Sequence, residues 1–96
     1  MKSIYIDTNV IAEICRQNDV ASLGLFGSMV SGETTENSDV DLLVQFSKRK
    51  SLLAMLKLER QLAAALGRKV DLVTEAALSP YLRERIKSDL QVIYAA

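Results

Sequence analysis

The 96-residue chain contains no histidine and no tryptophan, with one cysteine and one proline. Without histidine, Ser-His-Asp triads, imidazole acid–base catalysis and zinc-finger ligand sets are all excluded. One cysteine cannot close an internal disulfide, which removes the secreted cystine scaffolds. Neither sign of charge is in excess: twelve Lys and Arg balance twelve Asp and Glu. A neutral domain lacks the positive footprint of non-specific nucleic-acid binding, so no direct nucleic-acid partner is expected. Two Phe and three Tyr are too few for a base-stacking platform. No apolar run approaches the roughly 18 residues of a membrane span, and the opening Met1-Lys2-Ser3-Ile4-Tyr5-Ile6-Asp7 has no signal-peptide core. The expectation is a cytoplasmic protein without a membrane partner.

What is present suits an ordinary globular domain: 49% hydrophobic and 25% charged residues. Surface scaling predicts that about 64% of the unfolded area is buried, enough for one modest core. With no linker or internal repeat, residues 1–96 are read as a single domain. Asp7 or Thr8 can cap a first helix carrying Val10, Ile11, Ile14 and Cys15, closed by Asn18-Asp19. Leu23-Gly24-Leu25-Phe26 reads as a strand stopping at Gly27-Ser28, and Val40 to Phe46 as a second, central strand. Ser51 caps a long helix with Leu52, Leu53, Leu56, Leu62, Ala63 and Leu66 as its apolar stripe, and Gly67 sits where a left-handed C-cap belongs. Lys69 to Val73 is a third strand, and Ser79-Pro80 starts a last helix. Gln91 to Tyr94 reads either as a final strand or as the extended tail of that helix. The order predicts an α+β or α/β domain whose mixed sheet is covered mainly on one side.

Asp39 and Asp41 resist a bland explanation. At strand spacing they share one face, about 7 Å apart, where two like charges repel and lose hydration. Either they lie at the wet end of the strand, Asp39 simply ending a turn, or a cation holds them. Oxygen-only ligands favour a hard ion, Mg²⁺ or Mn²⁺. Asp71, a carboxylate between Val70 and Leu72, repeats the pattern in the next predicted strand. Three converging aspartates would make a two-metal site suited to in-line phosphoryl transfer. Gly27-Ser28, breaking a strand, presents backbone N–H groups and a hydroxyl that suit phosphate. It is not a Walker A loop, since the Lys-Ser/Thr does not follow.

In combination, Leu25-Phe26-Gly27-Ser28, ten residues and then Asp39-Val40-Asp41-Leu42 resembles the Gly-Ser-x₁₀-Asp-x-Asp signature of the DNA polymerase β-like nucleotidyltransferases. Gly32-Glu33, Gly67-Arg68-Lys69-Val70-Asp71-Leu72-Val73, Leu78-Ser79-Pro80-Tyr81-Leu82-Arg83 and Val92-Ile93-Tyr94 extend the likeness over nearly the whole chain. Together they resemble the minimal nucleotidyltransferases (MNT), small antitoxins partnered with HEPN-domain toxins. The resemblance implies the polymerase β palm-like nucleotidyltransferase fold. It implies that Gly27 and Ser28 hold the triphosphate of ATP, and that Asp39, Asp41 and Asp71 bind two Mg²⁺ ions. Asp71 would also help deprotonate the acceptor, a tyrosine hydroxyl of a HEPN ribonuclease that receives AMP and is silenced. One departure stands out: many relatives carry Arg three residues beyond the Ser, where this chain has Ser31. A guanidinium for the triphosphate is thus missing there. Lys48, Arg49 and Lys50 either supply that charge or form a solvated loop.

So small a domain leaves little protein to enclose an acceptor, which is then presented by a partner, with hetero- or homo-oligomers open. Met55 and Leu58, at the edge of the long helix's stripe, are either docking residues or core. Cys15 is expected in the core. The rival reading is a catalytically weak or inactive antitoxin that neutralises its partner by stoichiometric binding. An enzyme acting on a small molecule ranks last, for want of an acceptor domain.

Overall fold

The computed structural model describes residues 7–27 and 39–96. Helix α1 (Thr8–Gln17) starts where the Asp7 carboxylate accepts hydrogen bonds from the amides of Asn9 and Val10, at 3.0 and 3.3 Å. Strand β1 (Val20–Phe26) follows a turn at Asp19, whose φ of 58° is left-handed. Strand β2 (Val40–Phe46) leads to helix α2 (Leu52–Leu66), bounded by the Ser51 hydroxyl accepting from Ala54 and by Gly67 at φ 66°. Strand β3 (Val70–Thr74), a 3₁₀ turn (Glu75–Ala77), helix α3 (Pro80–Asp89) and strand β4 (Gln91–Ala95) complete the order.

The four strands form one mixed sheet in the order β3-β2-β1-β4, with β1 antiparallel to both neighbours and β2 parallel to β3. Parallel neighbours need a crossover, and α2 provides it. Alternation then sorts the side chains. Leu23, Leu25, Val40, Leu42, Val44, Val70 and Leu72 meet Ile11 and Cys15 of α1 and Leu58 and Leu62 of α2 in one core. Asn18 fastens the two helices: its side-chain amide donates to the Ile14 carbonyl and to Gln61 Oε1, both at 2.8 Å, so this buried polar group is satisfied. The α+β class and the one-sided covering of a mixed sheet agree with expectation.

Two local readings change, and one open choice is settled. Strand β1 begins at Val20 rather than Leu23, because a bulge between Val20 and Ser22 lets Val20 pair with Phe46. Gln91–Ala95 is a strand hydrogen-bonded to β1, not a helical tail. The stripe of α2 is rotated: Leu58 and Leu62 are its buried residues, with Met55, Ala63 and Leu66 packed beside them. Leu52, Leu53 and Leu56 are exposed, since at about 3.6 residues per turn Leu53 falls opposite Leu58 and Leu62.

The second sheet face carries Ser22, Gly24 and Phe26 of β1, Asp41, Leu43 and Gln45 of β2, and Asp71 and Val73 of β3. Leu90, just after α3, lies over Gly24: a Cβ there would stand 2.5 to 2.9 Å from Leu90 side-chain carbons. Gln45 links Ser22 (3.2 Å) to Glu75 (2.7 Å), and Glu75 pairs with Lys87 of α3 at 2.9 Å. The end of this face that holds Asp41 lies away from that link.

Leu62→Ala is expected to lower the unfolding free energy by about 2–5 kcal/mol, as for a fully buried leucine. Leu53→Ala should change it by less than about 0.5 kcal/mol. Urea denaturation of the two variants checks both, and equal losses would contradict the rotated stripe.

Candidate functional site

Asp41 and Asp71 stand directly opposite each other in the parallel β2/β3 register, on strands about 4.8 Å apart. Both occupy positions whose flanking residues, Val40 and Leu42, Val70 and Leu72, face the core. The apolar alternation that anchors the strands therefore turns the carboxylates outward. Asp39, one residue before β2, shares their side by the same alternation. Asp39 and Asp71 are exposed, whereas Asp41 is half-buried.

Partial burial is the main reason the Asp41 carboxyl titrates above the ordinary 3.8, and the charges of Asp71 and Asp39 push it further. No cation among the described residues opposes that shift. Gly27 completes this corner. Phe26 pairs with Asp41 across β1/β2, and the next residue turns away with φ 77°. A Cβ at Gly27 would run into Asp41 Oδ2 and stand 3.3 Å from its Cγ. Glycine is thus required twice, by the backbone conformation and by the carboxylate beside it. The strand-breaking Gly27 was visible in the sequence; its contact with Asp41 was not.

Ser28, Ser31, Gly32 and Glu33 lie outside the described residues. Among the described residues, no three His, Cys, Asp or Glu side chains gather closely enough to hold a metal ion. The parallel register joins Asp41 and Asp71, and Asp39 acts on Asp41 through its charge. The donor chemistry fits a hard cation, since the three side chains offer carboxylate oxygens only.

Lys48 and Lys50 are not the site's cations. They follow the far end of β2, seven or more residues from Asp41 and so on the order of 20 Å away. There Lys50 pairs with Asp19 at 2.8 Å and Lys48 at 3.8 Å, pinning the turn between α1 and β1. The hydrogen bond from Lys50 is the main reason the Asp19 carboxyl titrates below its ordinary value. Leu58 and Met55 belong to the core or pack against it, which removes them as docking residues. Cys15 is fully buried, and desolvation pushes its thiol up to about 11, in keeping with an inert core residue. No helix among the described residues is long and apolar enough to cross a membrane.

The family described as polymerase beta, nucleotidyltransferase matches residues 9–96 of the chain. The protein adenylyltransferase MntA of Thermococcus cleftensis is 47% identical over 66 residues, covering 69% of this chain and 67% of the relative. Among solved structures, a toxin–antitoxin crystallised with AMP-PNP superposes with a TM-score of 0.78 at 28% identity, over 95% of this chain and 75% of that one. A complex of the tri-AMPylated Shewanella oneidensis HEPN toxin with its MNT antitoxin gives 0.68 at 25% identity, over 93% and 70%. The expected resemblance and the polymerase β-type fold are both borne out.

Because the folded state raises the Asp41 carboxyl above 3.8, it holds that proton more tightly than the unfolded chain does. The resulting stabilisation is present below the ordinary value and is lost as pH rises through the folded one. In buffer with chelator, Asp41→Asn should therefore gain stability relative to wild type across that window and melt higher at pH 7. Thermal unfolding against pH measures the difference; identical curves would contradict the electrostatic reading.

Proposed function

Since the chain belongs to the polymerase β nucleotidyltransferase family, we propose that residues 1–96 form one domain moving AMP from ATP onto a tyrosine hydroxyl of a HEPN ribonuclease toxin. It would thereby act as the antitoxin of that pair. The observation that carries this reading is the in-register Asp41–Asp71 pair with Gly27 against it. The relatives and neighbours named above support the donor and the partner.

Asp39, Asp41 and Asp71 would hold two Mg²⁺ ions, with Mn²⁺ able to substitute. When bound, these ions supply positive charge to the triphosphate and to the attacking and leaving oxygens. Gly27 and Ser28 would hold the triphosphate, Ser28 through its hydroxyl and backbone N–H. Asp71, exposed at the edge of the pair, takes the proton of the acceptor hydroxyl. The freed oxygen bonds to the α-phosphorus, the bond from that phosphorus to the bridging oxygen breaks, and pyrophosphate leaves. The acceptor arrives on the partner protein, so the working assembly is a hetero-oligomer in the cytoplasm.

A second reading draws on the three aspartates, which do not close around an ion among the described residues. In it the chain is catalytically weak and neutralises its partner by stoichiometric binding.

One experiment separates the two. Incubation with labelled ATP, Mg²⁺ and the HEPN protein encoded beside it should label that protein. Asp41→Asn should abolish the label, a loss of at least about 100-fold, and should fail to neutralise the toxin. Absence of label from wild type together with full neutralisation by Asp41→Asn would overturn the transferase reading in favour of docking.

A further inference from the structure

Asp39, Asp41 and Asp71 lie toward one end of the open face, and a metal–triphosphate entering there is itself anionic. A protein cation facing the same space would lower the cost of bringing that charge in. We infer that Lys69 is a further residue that binds the triphosphate, beside Gly27 and Ser28, an assignment that rests on the nucleotidyltransferase reading above.

The geometry follows from the β2/β3 pairing. Val40 pairs with Val70 and Asp41 with Asp71, and the Val40 amide donates to the Lys69 carbonyl at 2.9 Å. Continued by one residue, the register sets Lys69 beside Asp39. Lys69 also lies two residues before Asp71, so alternation turns its side chain to the face of the aspartates while Val70 enters the core. It is exposed and makes no ion pair or side-chain hydrogen bond among the described residues. Four other cations are engaged elsewhere. Lys48 and Lys50 serve Asp19 at the far end of the sheet, and Lys87 is paired with Glu75. Arg83 donates to the Leu78 carbonyl at 3.4 Å. An ammonium on a flexible four-carbon stem, held at the rim and not locked onto the aspartates, can reach phosphate oxygens without displacing the metal ligands.

The test compares wild type, Lys69→Gln, Lys69→Arg and Asp41→Asn for equilibrium binding of a fluorescent ATP analogue with Mg²⁺. Inorganic tripolyphosphate and adenosine serve as competitors. Lys69→Gln should weaken the ATP analogue and tripolyphosphate about tenfold each, leave adenosine unchanged and melt at the wild-type temperature. Lys69→Arg should restore affinity to within about threefold of wild type. Unchanged affinity in Lys69→Gln, where Asp41→Asn has lost binding, would overturn the Lys69 assignment and leave the transferase reading standing. An equal loss for adenosine would also overturn it, by showing that the change had merely disturbed the site. Wild type that binds no ATP analogue would overturn both.

Discussion

The parallel pairing of β2 with β3 is the constraint on which the rest depends. Its register aligns Val40 with Val70 and Leu42 with Leu72 on the side of the helices, and so aligns Asp41 with Asp71 on the other. A slip of β3 by one residue would carry Asp71 into an apolar core and Val70 and Leu72 into water. Desolvation of four aliphatic side chains, at about 1.5–3 kcal/mol each, therefore fixes two like charges where their repulsion alone would keep them apart. The carboxylate pair is a by-product of how the core is buried, and it persists because the core is worth more than the repulsion.

The same logic explains why the site sits at one end of the sheet. Helix α2 must leave the far end of β2 and return to the near end of β3, and the left-handed Gly67 lets it stop in time. The basic Lys48–Lys50 segment is thereby carried to the end opposite the carboxylates and spent on Asp19. At the near end, the turn after β1 brings in a residue with no side chain, so the half-buried Asp41 carboxylate can pack directly against it.

Much of this was legible in the sequence. Asp7, Ser51 and Ser79 announce helix starts because their oxygens satisfy amides left open by the first turn, and each does so. Asp39, Asp41 and Asp71 stand out because carboxylates are rare in apolar strands. Less legible were features set by long-range contacts. Of the stripe expected on α2, Leu62, Ala63 and Leu66 do face the core, but only the position of the sheet turns Leu58 inward and leaves Leu52, Leu53 and Leu56 exposed. The extent of β1 depended on a bulge, and the nature of Gln91–Ala95 on a partner strand some seventy residues earlier. Whether Lys48, Arg49 and Lys50 supply charge to the triphosphate or form a solvated loop depended on the direction of β2, which carries Lys48 and Lys50 to Asp19.

Cys15 carries a practical consequence. As the sole thiol of the chain, fully buried between α1 and the sheet and held protonated, it is invisible to alkylating reagents while that helix stays docked. Its rate of labelling therefore clocks the opening of the first helix. The chain carries a built-in reporter that can distinguish a ligand tightening the whole molecule from one that touches only the rim of the sheet.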